Sequence, residues 1–158
     1  MWHKNLSLDN LSEEINGVLY IEEWRNIIEW EDKYQISSFG RGKSKARFHD
    51  CYRGKNGVAW HKEKILKQNE SGKGYMGVLL YSKERQQRGL IQRLVAIAFI
   101  ENINNKPTVN HIDGNKLKNN FQNLEWATHK EQQVHAIKNN LRNKTLGENS
   151  NLSKLKEE

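Results

Sequence analysis

The hydrophobic positions of this chain change spacing from segment to segment, and the changes predict a protein of mixed strand and helix. Leu8, Leu11 and Ile15 surround Ser12-Glu13-Glu14 at helical spacing, which predicts a two-turn amphipathic helix. From Val18 to Ile28 the apolar residues crowd and then partly alternate, as in an extended segment. Tyr34 to Arg41 alternates apolar and polar residues up to Gly40, the pattern of a short strand and turn. Residues 41–57 are basic and punctuated by glycine, and read as an exposed loop. A continuous apolar run from Tyr75 to Tyr81 predicts a strand, and Gly89-Leu90-Ile91 predicts another after the charged turn Lys83-Glu84-Arg85. The run RLVAIAFI, Arg93 to Ile100, is too densely apolar for the surface and predicts a buried helix with Leu94, Ile97 and Ala98 on one face. Thr128-His129-Lys130-Glu131 is a capping box that starts a helix from about His129 to Asn140. Leu94, Val95, Phe99, Leu124 and Trp126 are the expected core.

Composition narrows the class of partner. Lys and Arg outnumber Asp and Glu by 26 to 19, a formal charge of +7 with a sequence pI near 9.5. Such an excess suits a polyanion, bound largely through counterion release, and equally suits a merely basic protein. The single cysteine, Cys51, excludes an intrachain disulfide and a cysteine-based zinc cluster. No run approaches the roughly 18 apolar residues of a membrane span, and MWHKNLSLDN lacks the apolar core of a secretory signal.

The richest stretch is VNHIDGNKLKNNFQNLEWATHKEQQVH, Val109 to His135. Asn110 and His111 end a predicted strand, anchored by Val109 and Ile112, and Asp113-Gly114 supplies the turn of a tight hairpin. A histidine there takes a proton from water at neutral pH, and Asn123 can fix which ring nitrogen faces that water. Alone, the same histidine would read as half-buried and satisfied by the turn. With Asn119, Asn120, Asn123, Trp126 and the capping box at their present spacings, phosphodiester hydrolysis around one metal is the better fit. Asp113 reads as turn-forming rather than as a metal carboxylate.

HIDGNKLKNNFQNLEWAT resembles the core of the HNH nucleases, in the version found in phage and intron homing endonucleases. Upstream, IQRLVAIAFI is similar to a helix of that family, and EEWRNIIEWEDKYQISSFGRGKS to the NUMOD-like module that accompanies this HNH type. LGENSNLSKL resembles the opening of the family's C-terminal DNA-binding segment. Together these stretches span about residues 21–155, in family order.

The resemblance implies an α+β fold: a small N-terminal β-rich module, a ββα-metal (His-Me finger) HNH core, and a basic C-terminal tail. The implied division is an extension over 1–20, a DNA-binding module over 21–57, the nuclease core over 58–140, and a tail over 141–158 that begins a truncated DNA-binding segment. It implies a metal-dependent DNA endonuclease that nicks one strand per active site, leaves 5′-phosphate and 3′-hydroxyl ends, and uses one divalent ion, Mg²⁺ or alternatively Mn²⁺. The implied partner is double-stranded DNA, with the chain a monomer or homodimer, no membrane, and a place in the bacterial or phage-infected cytoplasm. Carried over by position, His111 is the general base, Asn123 orients its ring, and Asn110 and Gln132 are the metal ligands. Arg41, Lys43, Lys45, Arg47 and Arg93 are the DNA-contact candidates.

Three positions depart from the family pattern. Gln132 stands where relatives carry Asn or His, so the two ligands bring no negative charge, and His135 one turn on is an alternative. Gln92 replaces a histidine. Gly42 replaces a branched residue, which loosens the strand expected there. These departures motivate a second reading, a catalytically weakened or inactive HNH-derived DNA-binding protein. A third, an RNA-binding protein, calls for exposed aromatics around Trp60 and Tyr75.

Overall fold

A computed structural model describes residues 9–15, 17–50 and 55–139. Cys51 and the tail 141–158 lie outside the described residues. The first element is a hairpin, β1 (Ser12–Ile15) against β2 (Val18–Ile21), turned at Gly17, so the helix expected across Leu11 to Ile15 is not formed. The neighbouring strand satisfies the backbone of this short segment, whereas a two-turn helix is marginal in water.

Next, β3 (Trp24–Asn26), β4 (Tyr34–Ser37) and β5 (Gly42–Ser44) pair antiparallel in chain order. The hairpin β6 (Arg47–Asp50) with β7 (Val58–His61) forms a separate two-stranded sheet, and β8 (Lys64–Ile65) returns to the free edge of β5. Much of the basic segment read as a loop is therefore sheet. Gly42 does not loosen it: a Cβ there would meet Leu66 and Val78, each at 3.3 Å, so the bare backbone is what lets β5 pack beneath them.

A three-stranded sheet follows, with β10 (Met76–Tyr81) between β9 (Asn69–Glu70) and β11 (Gln86–Leu90). The chain then enters α1 (Ile91–Phe99) and the antiparallel pair β12 (Thr108–His111) and β13 (Leu124–Ala127). The last described element is α2 (His129–Lys138), capped as expected: Thr128 Oγ1 accepts from Glu131 N–H, and Glu131 accepts from Thr128 N–H.

One apolar core joins the N-terminal sheet, β10, α1 and the last strand pair. Ile27 and Trp30 of the β3–β4 connection, with Tyr34 and Ile36 of β4, meet Val78 and Leu80 of β10, Ile91, Val95 and Ala96 of α1, and Val109 and Leu124 of β12 and β13. Each such side chain contributes about 1.5–3 kcal/mol when fully buried. Helix α1 buries Ile91, Gln92, Val95 and Ala96, while Ile97, expected on the inner face, is 43% exposed. The helix begins before Arg93, and sheets on more than one side of it choose the buried face. Leu94, Phe99 and Trp126 pack against this core from its edge.

The N-terminal sheet also touches the segment that follows His111. Gly40 has φ +81°, and a Cβ on it would come within 2.8 Å of Asn119 Cβ. Nearby, Phe121 N–H donates to Ser38 O (2.9 Å), and Gln68 Nε2 donates to Gly40 O (2.8 Å).

Candidate active site

The register of β12 with β13 sets Asn110 opposite Glu125 and His111 opposite Leu124. Asp113-Gly114 turns the chain immediately after β12, with Gly114 N–H donating to His111 O (3.0 Å) and Gly114 at φ +75°. That turn does not close a tight hairpin. A loop continues to a single 3-10 turn, Phe121–Asn123, before β13 begins. Asn123 ties the loop shut. Its Oδ1 accepts from Asp113 N–H (3.1 Å), its Nδ2 donates to Asp113 Oδ1 (2.9 Å) and Lys118 O (3.0 Å), and its carbonyl accepts from Ile112 N–H (2.8 Å).

The bond expected between Asn123 and the imidazole is instead made by Asn119. Asn119 Nδ2 donates to Lys116 O and Leu117 O, both at 3.3 Å, so its amide oxygen is turned toward His111. An amide oxygen only accepts. His111 Nε2 must therefore carry the proton that it donates to Asn119 Oδ1 (3.1 Å), which leaves Nδ1 with the lone pair. Nδ1 has no protein hydrogen-bond partner among the described residues.

His111 is buried, and Tyr75 lies beside its ring, 6.1 Å between centroids. Burial pushes its pKa below the ordinary imidazole value, outweighing the Asn119 bond and the Asp113 charge, which raise it; Lys116 adds to the lowering. The ring is neutral at pH 7, as a general base needs. Asn119 is the partner of the ring that sequence reading missed. Its place in the asparagine-rich spacing was visible, but which asparagine meets the ring depends on the loop path.

Asn110 and Gln132 are oriented by partners that can only accept. Asn110 Nδ2 donates to Glu125 Oε1 (2.9 Å), and Gln132 Nε2 donates to Val109 O (3.0 Å), which brings α2 against β12. Both carbonyl oxygens are thereby turned away from these bonds, and such oxygens suit a hard divalent cation. His135 Nε2 is engaged with Ile112 O (3.0 Å). Asp113 is committed to the turn: burial raises its pKa, but bonds from Asn115 N–H, Asn123 and Lys118 outweigh that and hold it below the carboxylate norm. No cluster of three or more His, Cys, Asp or Glu suited to a metal occurs among the described residues.

The basic candidates lie apart from one another in exposure. Arg41, expected on a surface loop, is buried in an ion pair with Glu22 and donates to Asp9 O (2.7 Å), so its charge is directed into the protein. Lys43 pairs with Glu63 (3.2 Å) over the Trp24 ring. Lys45 donates to Glu31 O, and Arg47 donates to Lys33 O and Lys45 O across Tyr34. Arg93 is exposed on α1 and donates to Pro107 O (2.8 Å). Trp60 is 52% exposed against Phe48, whereas Tyr75 is half-buried beside His111. No helix among the described residues is long and apolar enough to cross a membrane.

The NUMOD4 motif matches residues 22–81. The chain is 40% identical over 124 residues to the uncharacterized HNH endonuclease L247 of Acanthamoeba polyphaga mimivirus, covering 76% of this chain and 27% of that protein. It is 33% identical over 108 residues to the DNA endonuclease I-HmuI of Bacillus phage SP01, covering 68% of this chain and 53% of that one. The fold matches a solved structure of DNA binding and cleavage by the HNH homing endonuclease I-HmuI, with a TM-score of 0.61 and 30% identity over 78% of this chain and 62% of that chain. The chain thus spans only part of each relative's length, 27% and 53% of the two proteins compared by sequence.

Proposed function

We propose that this chain, a NUMOD4-bearing relative of the HNH homing endonucleases in sequence and fold, is a DNA endonuclease that hydrolyses phosphodiester bonds with one divalent cation. The observation that carries the reading is the His111–Asn119 pair, which holds a neutral imidazole in one tautomer next to Asn110. The layout is that of a ββα-metal core, with β12, β13 and α2 as its parts and residues 58–140 as its extent. Residues 21–57 act as a DNA-binding module, and residues 1–20 and 141–158 flank them.

In the reaction, His111 Nδ1 takes the proton of the attacking water while Asn119 keeps Nε2 protonated and the ring fixed. Asn123 acts one step back, by holding the Asp113 turn that carries β12 into the loop. Asn110 and Gln132 would hold the cation, Mg²⁺ with Mn²⁺ as its substitute, through their carbonyl oxygens. When bound, that ion stabilises charge on the phosphate and on the departing 3′ oxygen. The products are 5′-phosphate and 3′-hydroxyl ends, one strand being cut per site. Arg93, Lys45 and Arg47 take the backbone phosphates that position the duplex, whereas Lys43, like Arg41, has its charge met by an acid of the fold. The DNA substrate is intracellular, and the chain acts as a monomer or a homodimer.

Supercoiled plasmid incubated with the full chain, with and without Mg²⁺ or Mn²⁺, tests the reading. Open circles should form only with metal, and His111→Ala should slow them by about 10²–10⁴-fold, the usual worth of a general base. Intact plasmid under every condition, alongside a gel shift that fades with salt, would replace the nuclease with a DNA-binding protein.

A further inference from the structure

Two neutral amides are a poor holder for a hard divalent ion, whose protein ligands are normally led by carboxylates. Glu125 stands directly across the strand pair from Asn110. Opposed residues of an antiparallel pair project from the same face, and Glu125 Oε1 accepts from Asn110 Nδ2 at 2.9 Å. The Glu125 side chain is exposed and enters no ion pair among the described residues. Other acids of the region are committed elsewhere. Asp113 is paired with Lys118 and the turn amides, and Glu131 with Lys106 and the helix cap.

We infer that Glu125 is an oxygen ligand of the cation and supplies the negative charge that Asn110 and Gln132 lack. The inference rests on the metal-dependent reading above and adds a ligand from β13 to those from β12 and α2. The hydrogen bond to Asn110 keeps the carboxylate on the face of β12–β13 where the Asn110 amide lies. A carboxylate that merely positioned Asn110 would be replaceable by glutamine, whose Oε1 accepts the same bond; a ligand that supplies charge would not. The charge is also movable, because an aspartate at position 110 would restore it from the other strand of the same pair.

The test is titration of Mn²⁺ alone into the full chain, followed by calorimetry, for the native protein, Glu125→Gln and the double variant Asn110→Asp/Glu125→Gln. Circular dichroism confirms that each is folded. Glu125→Gln should bind Mn²⁺ about tenfold more weakly or worse, and the double variant should recover most of that loss. Equal affinity in the native protein and Glu125→Gln would overturn the inference. So would a double variant no better than Glu125→Gln, or a native protein that takes up no Mn²⁺ at millimolar concentration. Plasmid cleavage is read separately. Binding through Glu125 with intact plasmid would keep this ligand and remove the nuclease, whereas cleavage with Mn²⁺ affinity indifferent to Glu125 would do the reverse.

Discussion

The N-terminal sheet and the β12–β13 hairpin each bury a basic side chain almost completely, and they treat its charge in opposite ways. Arg41 is 3% exposed and His111 is 4% exposed. Arg41 carries the charge that every arginine carries, and Glu22, itself buried, faces it. Burial alone pushes the Glu22 carboxyl up, but bonds from Arg41, Ser37 and Leu11 N–H, with the Arg41 charge, outweigh it and leave the carboxyl below the ordinary range. His111 meets a neutral amide instead, so burial prevails and the ring stays unprotonated. Equal burial therefore holds an ion pair in one region and a neutral ring in the other. A guanidinium stays charged and needs its carboxylate, whereas an imidazole can shed its proton beside an amide.

The comparison can be broken most forcefully at Arg41. Arg41→Met strands the Glu22 carboxylate, and unfolding by urea should show a loss of about 3–5 kcal/mol. The sign of the pH response should also change. In the native protein the lowered Glu22 value means its stabilisation is full above about pH 4.5, the ordinary carboxyl value, and is lost as pH falls through the folded value. In the variant, unpaired burial raises the folded value, so stability should recover in acid. A variant whose stability still falls in acid as the native protein's does would sink this account of the pair.

Gly40 links the two regions, and Gly40→Ala should rank second. Its positive φ and the contact with Asn119 predict a cost of about 1–3 kcal/mol for the strained backbone. The clash falls on the residue that orients His111. Cleavage should therefore drop further than the melting temperature would suggest, and unaltered cleavage in the folded variant would show that Asn119 tolerates displacement.

Asn119→Asp sharpens the contrast with a smaller change. A carboxylate facing His111 Nε2 gives that ring the kind of partner Arg41 has, and raises its pKa. In the native chain the acid limb of the cleavage profile should lie below pH 6.5, the ordinary imidazole value, because the folded value is lowered. In the variant that limb should move to higher pH by about one unit. A limb that stays in place would mean that Asn119 does not control the ring. His111 also makes the folded protein less stable as pH falls below 6.5, since the unfolded chain then binds the extra proton.

Local pattern reached the α2 cap, the strand ends at His111, the apolar strand β10 and the existence of α1, because each is written in adjacent residues. It reached less where a neighbour supplied the deciding contact. Ser12-Glu13-Glu14 follows a helical spacing but pairs with β2, and Ile97 follows the stripe of α1 but faces out. Arg41 opens a basic run that reads as an exposed loop, and only Glu22, 19 residues earlier in the chain, reveals that its charge is taken. Gly42 departs from the family pattern for a reason found in Leu66 and Val78.

By itself, then, the sequence determined the histidine, the turn and the helix cap, since Asp113-Gly114 and Thr128–Glu131 act through bonds a few residues long. Tertiary structure alone decided which asparagine meets the ring, which carboxylate meets Asn110 and which cation is spent inside the fold. Those choices depend on loop path, strand register and burial, and these are set by how distant segments pack.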